Sequence, residues 1–309
     1  MSSAQQNLED SRTLQASELY DMHCHLDFFE DPAAVAADAQ RLGLGMFAVS
    51  VTPQGYEQTL LALLDGKQIS DGDGKQIGLG SGKQISDGDS KQKINRDGKQ
   101  VSDGDGKQIR LGVGAHPWWI ADGRCSLDDI ERVCELMEST RFIGELGLDF
   151  SNKHTPPESH DSQIDAFRRI CTRAGELGGK LLSIHAVRSA HKVLDILETS
   201  DAQNSCDCIF HWFSGSTDEL WRAIRAGCYF SVNEMMLATK RSREYLKLIP
   251  HERLLLETDL PPQERASEFC AADIRGSLER ALARCAEYRG VPVAELAQLT
   301  AENSTRLLA

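Results

Sequence analysis

The feature that most constrains this chain is a rhythm: eight short apolar runs, each followed by an amphipathic stretch. The runs fall at residues 19–23, 46–51, 109–115, 141–145, 180–185, 207–211, 227–232 and 253–257. They are rich in Val, Ile, Leu and Phe, as strands buried on both faces are. Stretches of helical period lie between them, at 32–42, 56–64, 127–139, 162–177, 190–199, 217–226 and 240–248, and two more follow at 271–289 and 293–308. Asp31 before Pro32, Ser126 with Asp129, and Thr217 stand where N-caps belong. Eight buried strands alternating with helices in roughly 250 residues predict an α/β chain folded as a (β/α)8 TIM barrel. A doubly wound open sheet is the alternative, and the placement of polar residues decides between them.

One segment breaks the rhythm. From Gly66 a unit of the form GKQISDGD recurs every eight residues, starting at Gly66, Gly74, Gly82, Ser90, Gly98 and Gly106. Each unit carries about one apolar side chain, too few for stacked repeats to bury a core. Asp71 and Asp73 have the spacing that opens a calcium loop, but Lys75 occupies the next ligand position and the distal Glu is missing. The composition is that of a flexible loop. Deleting residues 66–105 joins Asp65 to Gly106 and leaves a helix end, a glycine and a strand. The tract is therefore read as a low-complexity octapeptide-repeat insertion in one αβ loop, on the barrel face opposite the polar strand ends. The expected organisation is a polar tail over 1–18 and one barrel domain over 19–309, interrupted by 66–105.

The insertion holds seven Lys or Arg and seven Asp, so the formal net charge of -13 belongs to the rest of the 309 residues. Such acidity excludes a protein that coats nucleic acid with a broad basic surface. It leaves room for an enzyme that grips a few phosphates through metal ions. The nine cysteines are odd in number and form no CxxC, and several sit inside apolar runs. They are expected to be free thiols in a reducing cytoplasm. Cys206-Asp-Cys208 lacks the accompanying spacing of a zinc site. Residues 1–17 are polar, without the apolar segment of a signal peptide, and no run reaches the roughly 18 apolar residues of a membrane span. A cytoplasmic chain without membrane association is expected.

Polar residues punctuate the ends of the apolar runs. His23 and His25 flank Cys24, and strand alternation points both imidazoles the same way. Glu145 ends the fourth run, His185 the fifth and His211 the sixth, and Asp259 follows the eighth. A lone HxH or a lone strand-end histidine is commonly structural. Together, four imidazoles and two carboxylates at the C-terminal ends of barrel strands would converge on divalent metal. His154, His160, His191 and His251 lie in polar stretches and are expected to be solvated.

These residues stand in a series of motifs. They are Asp21-Met-His23-Cys-His25-Leu-Asp27, Gly114-Ala-His116-Pro117, Gly144-Glu145-Leu-Gly-Leu-Asp149, Ser183-Ile-His185, Phe210-His211-Trp-Phe-Ser-Gly215, Glu257-Thr-Asp259-Leu-Pro261 and Thr300-Ala-Glu-Asn303. In order and spacing the chain resembles the TatD family of metal-dependent deoxyribonucleases, within the amidohydrolase-like barrels. His211-Trp-Phe-Ser-Gly and Cys228-Tyr-Phe-Ser-Val look closer to a branch that includes proteins of bacterial anti-phage operons. The resemblance implies two divalent ions: one on His23, His25 and Asp259, one on His185 and His211, with Glu145 between them. No lysine ends the fourth run, so Glu145 replaces the carbamylated lysine of many amidohydrolases. The family commonly has His-Ser-Arg at the fifth strand, whereas this chain has His185-Ala-Val187-Arg188.

The expected reaction is hydrolysis of DNA phosphodiesters by a metal-activated water. A strand end is the expected substrate, because a barrel mouth admits an end more easily than the middle of a duplex. Asp259 is placed to take or orient the proton of that water. Glu257 points the same way by alternation, as an orienting or a substrate-facing carboxylate. His116 is a candidate donor to the phosphate. Trp118, Trp119 and Trp212 are candidate stacking surfaces or loop packing. Zn, Mn, Fe, Co and Ni suit the donor set better than Mg. Two other readings stand beside this one: a barrel hydrolase acting on a small-molecule ester, amide or phosphoester, and a non-enzymatic subunit with protein partners in a defence or repair complex.

Overall fold

Eight parallel strands form one sheet in the order β1 to β8, so every strand pairs with its neighbours in sequence. They are β1 (Leu19–Cys24), β2 (Leu44–Val49), β3 (Ile109–Ala115), β4 (Phe142–Asp149), β5 (Leu181–Val187), β6 (Asp207–His211), β7 (Tyr229–Val232) and β8 (Leu254–Leu256). Parallel neighbours need a crossover, and a helix follows each strand on the outside, so the sheet curls into the expected barrel. The computed structural model describes residues 19–65, 109–264 and 266–309. The polar tail and the octapeptide tract lie outside the described residues, between the helix Pro53–Asp65 and β3 in the case of the tract.

Two apolar layers hold the barrel. Met22, Phe47, Val49, Phe142, Leu181, Ile209, Tyr229 and Leu255 cluster together and fill the interior. Leu307 and Leu308, at the end of the last helix, pack on the same cluster. The Arg110 side chain of β3 donates to Leu308 O at 3.0 Å, which pins that helix end near the strand starts. The other layer joins outward strand residues, such as Met46, Val113, Ile184 and Phe230, to the surrounding helices. The interior is thus plugged from below and open at the opposite end.

Several expectations shift in detail. Strands β4 and β5 run on to Asp149 and Val187, so Glu145 and His185 lie inside strands and not at their ends. The caps are Asp31, which accepts from Ala34 N at 2.9 Å, Ser126 in a capping box with Asp129, and Ser216 in place of Thr217. Two short helices, Pro117–Ala121 and Ala202–Ser205, were not expected. All nine cysteines are free thiols. Among the described residues, no helix is long and apolar enough to cross a membrane.

Candidate metal centre

Two bulges place the ligand types. Between Asp21 and Cys24, β1 carries one residue more than β2 opposite it. Met22 therefore packs into the interior, yet His23 also faces the mouth, and Cys24 turns out to the helix layer. Strand β4 has a similar irregularity between Ile143 and Leu146, centred on Gly144 and Glu145. There Glu145 N donates to Ser50 O at 2.8 Å, and Ser50 N donates to Gly144 O at 2.9 Å. The approach needs glycine at 114: an added Cβ would sit 2.0 Å from Ser50 O and 2.4 Å from Glu145 N.

The Glu145 carboxylate divides the surrounding imidazoles. Its Oε2 lies 3.4 Å from both His23 Nε2 and His25 Nε2. Its Oε1 lies 2.8 Å from His185 Nδ1, 2.9 Å from His211 Nε2 and 3.3 Å from His116 Nε2. Asp259 Oδ1 stands 3.6 Å from His23 Nε2 and 3.4 Å from His25 Nε2. The chain reverses there through a positive φ of 60° at Asp259, and Asp259 N donates to His23 O at 2.9 Å. All six residues singled out in the sequence meet in one cluster, five of them buried and Asp259 partly exposed at the cavity.

Burial opposes charge on every member, and the neighbours decide the outcome. Burial would raise the Glu145 carboxyl, but His116, His211 and His23 outweigh it and hold it well below the usual range. At His25, burial is outweighed by Asp259, Asp27 and Glu145, and at His211 by Glu145 and Glu257, so both rings hold protons well above the usual histidine range. His23 stacks on His211 with centroids 4.0 Å apart. Burial and that neighbour push it below the usual value.

Further groups hold the rings in place. Ser183 Oγ lies 2.7 Å from His23 Nδ1. Asp149 Oδ2 lies 3.2 Å from His185 Nε2. Glu257 is wholly buried behind His211: Ser231 Oγ donates to one oxygen, and Asn233 Nδ2 (2.8 Å) and Trp212 N (3.1 Å) donate to the other. Its oxygens are taken up by these donors and it does not line the cavity, a geometry that agrees with the orienting one of the two placements left open by the sequence. Leu254 and Leu256 pack outward and Leu255 inward, so alternation carries Glu257 inward as well, beside His211. Asp21 accepts from His23 N, Thr258 N and the Thr258 hydroxyl, and burial pushes its carboxyl up to about 7. Asp21, Asp149 and Ser183 stand in the sequence motifs, but no local pattern gave them a role.

Above the cluster is a cavity of about 640 Å³ with largely apolar walls, including Phe28, Trp118, Trp119, Trp212 and Met235. Arg124 is the one lysine or arginine among its described lining residues, and it is engaged by Asp122 at 2.8 Å. Val187 lines the wall, whereas Arg188 is exposed outside it. His116 caps the helix Pro117–Ala121: its Nδ1 accepts from Trp118 N at 3.1 Å. The neutral ring therefore carries its proton on Nε2, toward Glu145, and burial pushes its pKa down to about 4. Of the histidines expected to be solvated, His154, His191 and His251 are exposed, though His154 stacks on Trp118 at 4.0 Å. His160 differs: its ring packs tilted against Phe150 with centroids 4.2 Å apart, and its Nε2 is buried.

The donor set fits divalent cations. Among the described residues, three His and carboxylate groups each gather ligand atoms within 4.8 Å: His23 with His25 and Glu145, His116 with Glu145 and His185, and His23 with His211 and Glu257. His23 Nε2 is buried without a hydrogen-bond partner, although it faces two carboxylates. Buried polar atoms are rarely left so, and a divalent cation between this nitrogen and the carboxylates would satisfy it.

Residues 20–309 match the model of the TatD-related DNases. The chain belongs to the TatD-related DNase family. Among its relatives is a 3′-5′ ssDNA/RNA exonuclease TatD of Escherichia fergusonii, 31% identical over 205 residues, or 62% of this chain and 74% of that one. The enzyme of the same name from Citrobacter rodentium is 28% identical over 201 residues, covering 63% and 74%. A relative from Mus musculus is 26% identical over 193 residues, and the match spans 62% of its length. In fold, this TatD-related chain superposes on a TatD family hydrolase of Entamoeba histolytica with a TM-score of 0.68, at 14% identity, over 95% of this chain and 98% of that one. For a TatD homologue of Escherichia coli the TM-score is 0.62, at 19% identity, over 94% and 98%.

Proposed function

We propose that this chain is a metal-dependent phosphodiesterase that hydrolyses single-stranded nucleic acid from an end, with DNA as its principal substrate. The observation that carries the reading is the Glu145 carboxylate, one oxygen toward His23 and His25, the other toward His185 and His211. His23, His25 and Asp259 would hold one divalent ion and His185 and His211 a second, with Glu145 shared. Bound ions of this kind supply a water of lowered pKa and stabilise charge on phosphoryl oxygens. Asp259, the most accessible of the carboxylates at 23% side-chain exposure, takes or orients the proton of the attacking water. His116 offers a neutral Nε2–H at the cavity wall as a donor to a phosphate oxygen. Glu257 acts through His211, and the Trp118 and Trp212 rings wall the space for a base. The relatives named as 3′-5′ ssDNA/RNA exonucleases support the same substrate class.

The deciding experiment is an assay on single strands labelled at the 3′ or the 5′ end, repeated with chelator and after addition of Zn²⁺, Mn²⁺ or Mg²⁺. Stepwise shortening from one end that needs metal supports the reading, and intact strands with bound metal overturn it. One observation favours a second reading, a small-molecule ester or phosphoester substrate. The cavity walls are apolar and their one cation, Arg124, is already paired. A panel of lactones and aryl phosphoesters run beside the strands separates the two.

A further inference from the structure

The wall of the cavity and the metal cluster meet at one atom. Trp118 donates its indole N–H to Asp149 Oδ2 at 2.6 Å. The same oxygen lies 3.2 Å from His185 Nε2. The opposite nitrogen of that ring, Nδ1, lies 2.8 Å from Glu145 Oε1. One carboxylate oxygen thus joins an indole that lines the cavity to an imidazole that faces the shared carboxylate.

The rest of Asp149 is fixed separately. Its Oδ1 accepts from Ser151 N at 2.7 Å, and its own N–H donates to Gln163 Oε1 at 2.9 Å. Asp149 is buried, and its oxygens are held by Ser151 N, Trp118 Nε1 and the His185 ring. A neutral imidazole offers Nδ1 to a cation when its proton sits on Nε2, and an acceptor at Nε2 fixes that tautomer and the ring's orientation. Asp149 Oδ2 is that acceptor, and the indole N–H sets where Oδ2 points.

We propose that Trp118 is a positioning residue for His185, acting through Asp149, while its ring face forms the substrate wall. The proposal rests on the reading that His185 holds metal. It divides one side chain into two separable jobs. The N–H serves the metal cluster, and the ring serves binding. His154, stacked on the Trp118 ring at 4.0 Å, steadies the indole from the solvent side.

The test uses the full chain as Trp118→Phe, Trp118→Ala, Asp149→Asn and Trp119→Phe. Trp119 is the neighbouring indole, with its plane within 1° of that of Trp118, and serves as the control for ring loss. Affinity for Zn²⁺ or Mn²⁺ alone is measured by competition with a chromophoric chelator, and kcat and KM on a labelled single strand. Trp118→Phe is expected to weaken metal affinity about tenfold and to lower kcat, with KM within about twofold. Trp118→Ala adds a rise in KM of about fivefold or more, the effect of a lost stacking surface. Asp149→Asn reproduces the metal defect, and Trp119→Phe does not. Should Trp118→Phe also lower the melting temperature, the comparison with Trp119→Phe at equal stability decides. Equal metal affinity in those two variants overturns the proposal, as does parental kcat in Trp118→Phe. A parent chain that binds no metal overturns instead the reading on which it rests.

Discussion

Thr258 donates its backbone N–H to Asp21 Oδ1 at 3.0 Å and its hydroxyl to Asp21 Oδ2 at 2.5 Å, so a side chain from the first strand holds the segment after the last one. His23 N, donating to the same Oδ1 at 3.2 Å, ties the histidine-bearing end of β1 into the seam. Asp21→Ala would leave three buried donors without an acceptor. It should cost about 2–4 kcal/mol in urea unfolding. Asp21→Asn keeps the acceptor oxygen, and burial already holds the native carboxyl near neutrality at about 7. The amide should stay within about 1 kcal/mol of the parent. Equal losses from the two variants would mean that charge, and not hydrogen bonding, closes the seam.

Glu257 tests the difference between orienting and reacting. Its carboxylate accepts from Ser231, Asn233 and Trp212 N and stands 3.8 Å from His211 Nδ1. Glu257→Gln should weaken metal affinity about 10–100-fold, the usual penalty for disturbing the partner of a metal-ligating histidine, and leave KM unchanged. Metal content by elemental analysis and steady-state kinetics give the two readouts. A raised KM with metal intact would place Glu257 against the substrate.

The barrel was legible because buried parallel strands leave long apolar runs, and the six ligand types because each interrupts or ends such a run. What was not legible depends on pairing between distant segments. Ser183 meets His23 across 160 residues and Thr258 meets Asp21 across 237, and neither contact leaves a local pattern. The depth of Glu145 comes from a bulge, which an apolar run conceals. Alternation gives the inward direction of Glu257, but its donors Trp212, Ser231 and Asn233 come from other segments and leave no local pattern. The proximity of His154 to Trp118 arises from a loop fold that polar composition alone does not reveal.

Thiol reactivity reports on the packing of the helix layer. Cys270 is exposed, while Cys24, Cys171, Cys208, Cys228 and Cys285 are buried. Burial pushes Cys228 and Cys285 up to about 12 and Cys24, Cys171 and Cys208 well above the usual thiol range. The thiolate is the reactive species, so iodoacetamide at pH 8 should label Cys270 first and these five only after unfolding in urea. Peptide mass spectrometry across a time course gives the order. Fast labelling of Cys208 or Cys285 in the native protein would show that the helices do not cover the strands as described.

Metal removal tests the proposed assignment most directly, because ions held by the folded chain stabilise it by mass action. At a hundredfold excess over the dissociation constant, the gain is about 2.7 kcal/mol. For a domain of this size that raises the melting temperature by about 5–10 °C. Chelator-treated protein should therefore melt lower and recover on addition of Zn²⁺ or Mn²⁺. His23→Ala removes the unpartnered Nε2 and should abolish both the metal-induced shift and hydrolysis. It also removes the contact with Ser183, so its starting temperature will differ, and the shift on adding metal is the quantity to compare. Asp259→Ala should likewise lose hydrolysis. If either variant kept full activity with metal bound, the assignment of His23 and Asp259 would be wrong.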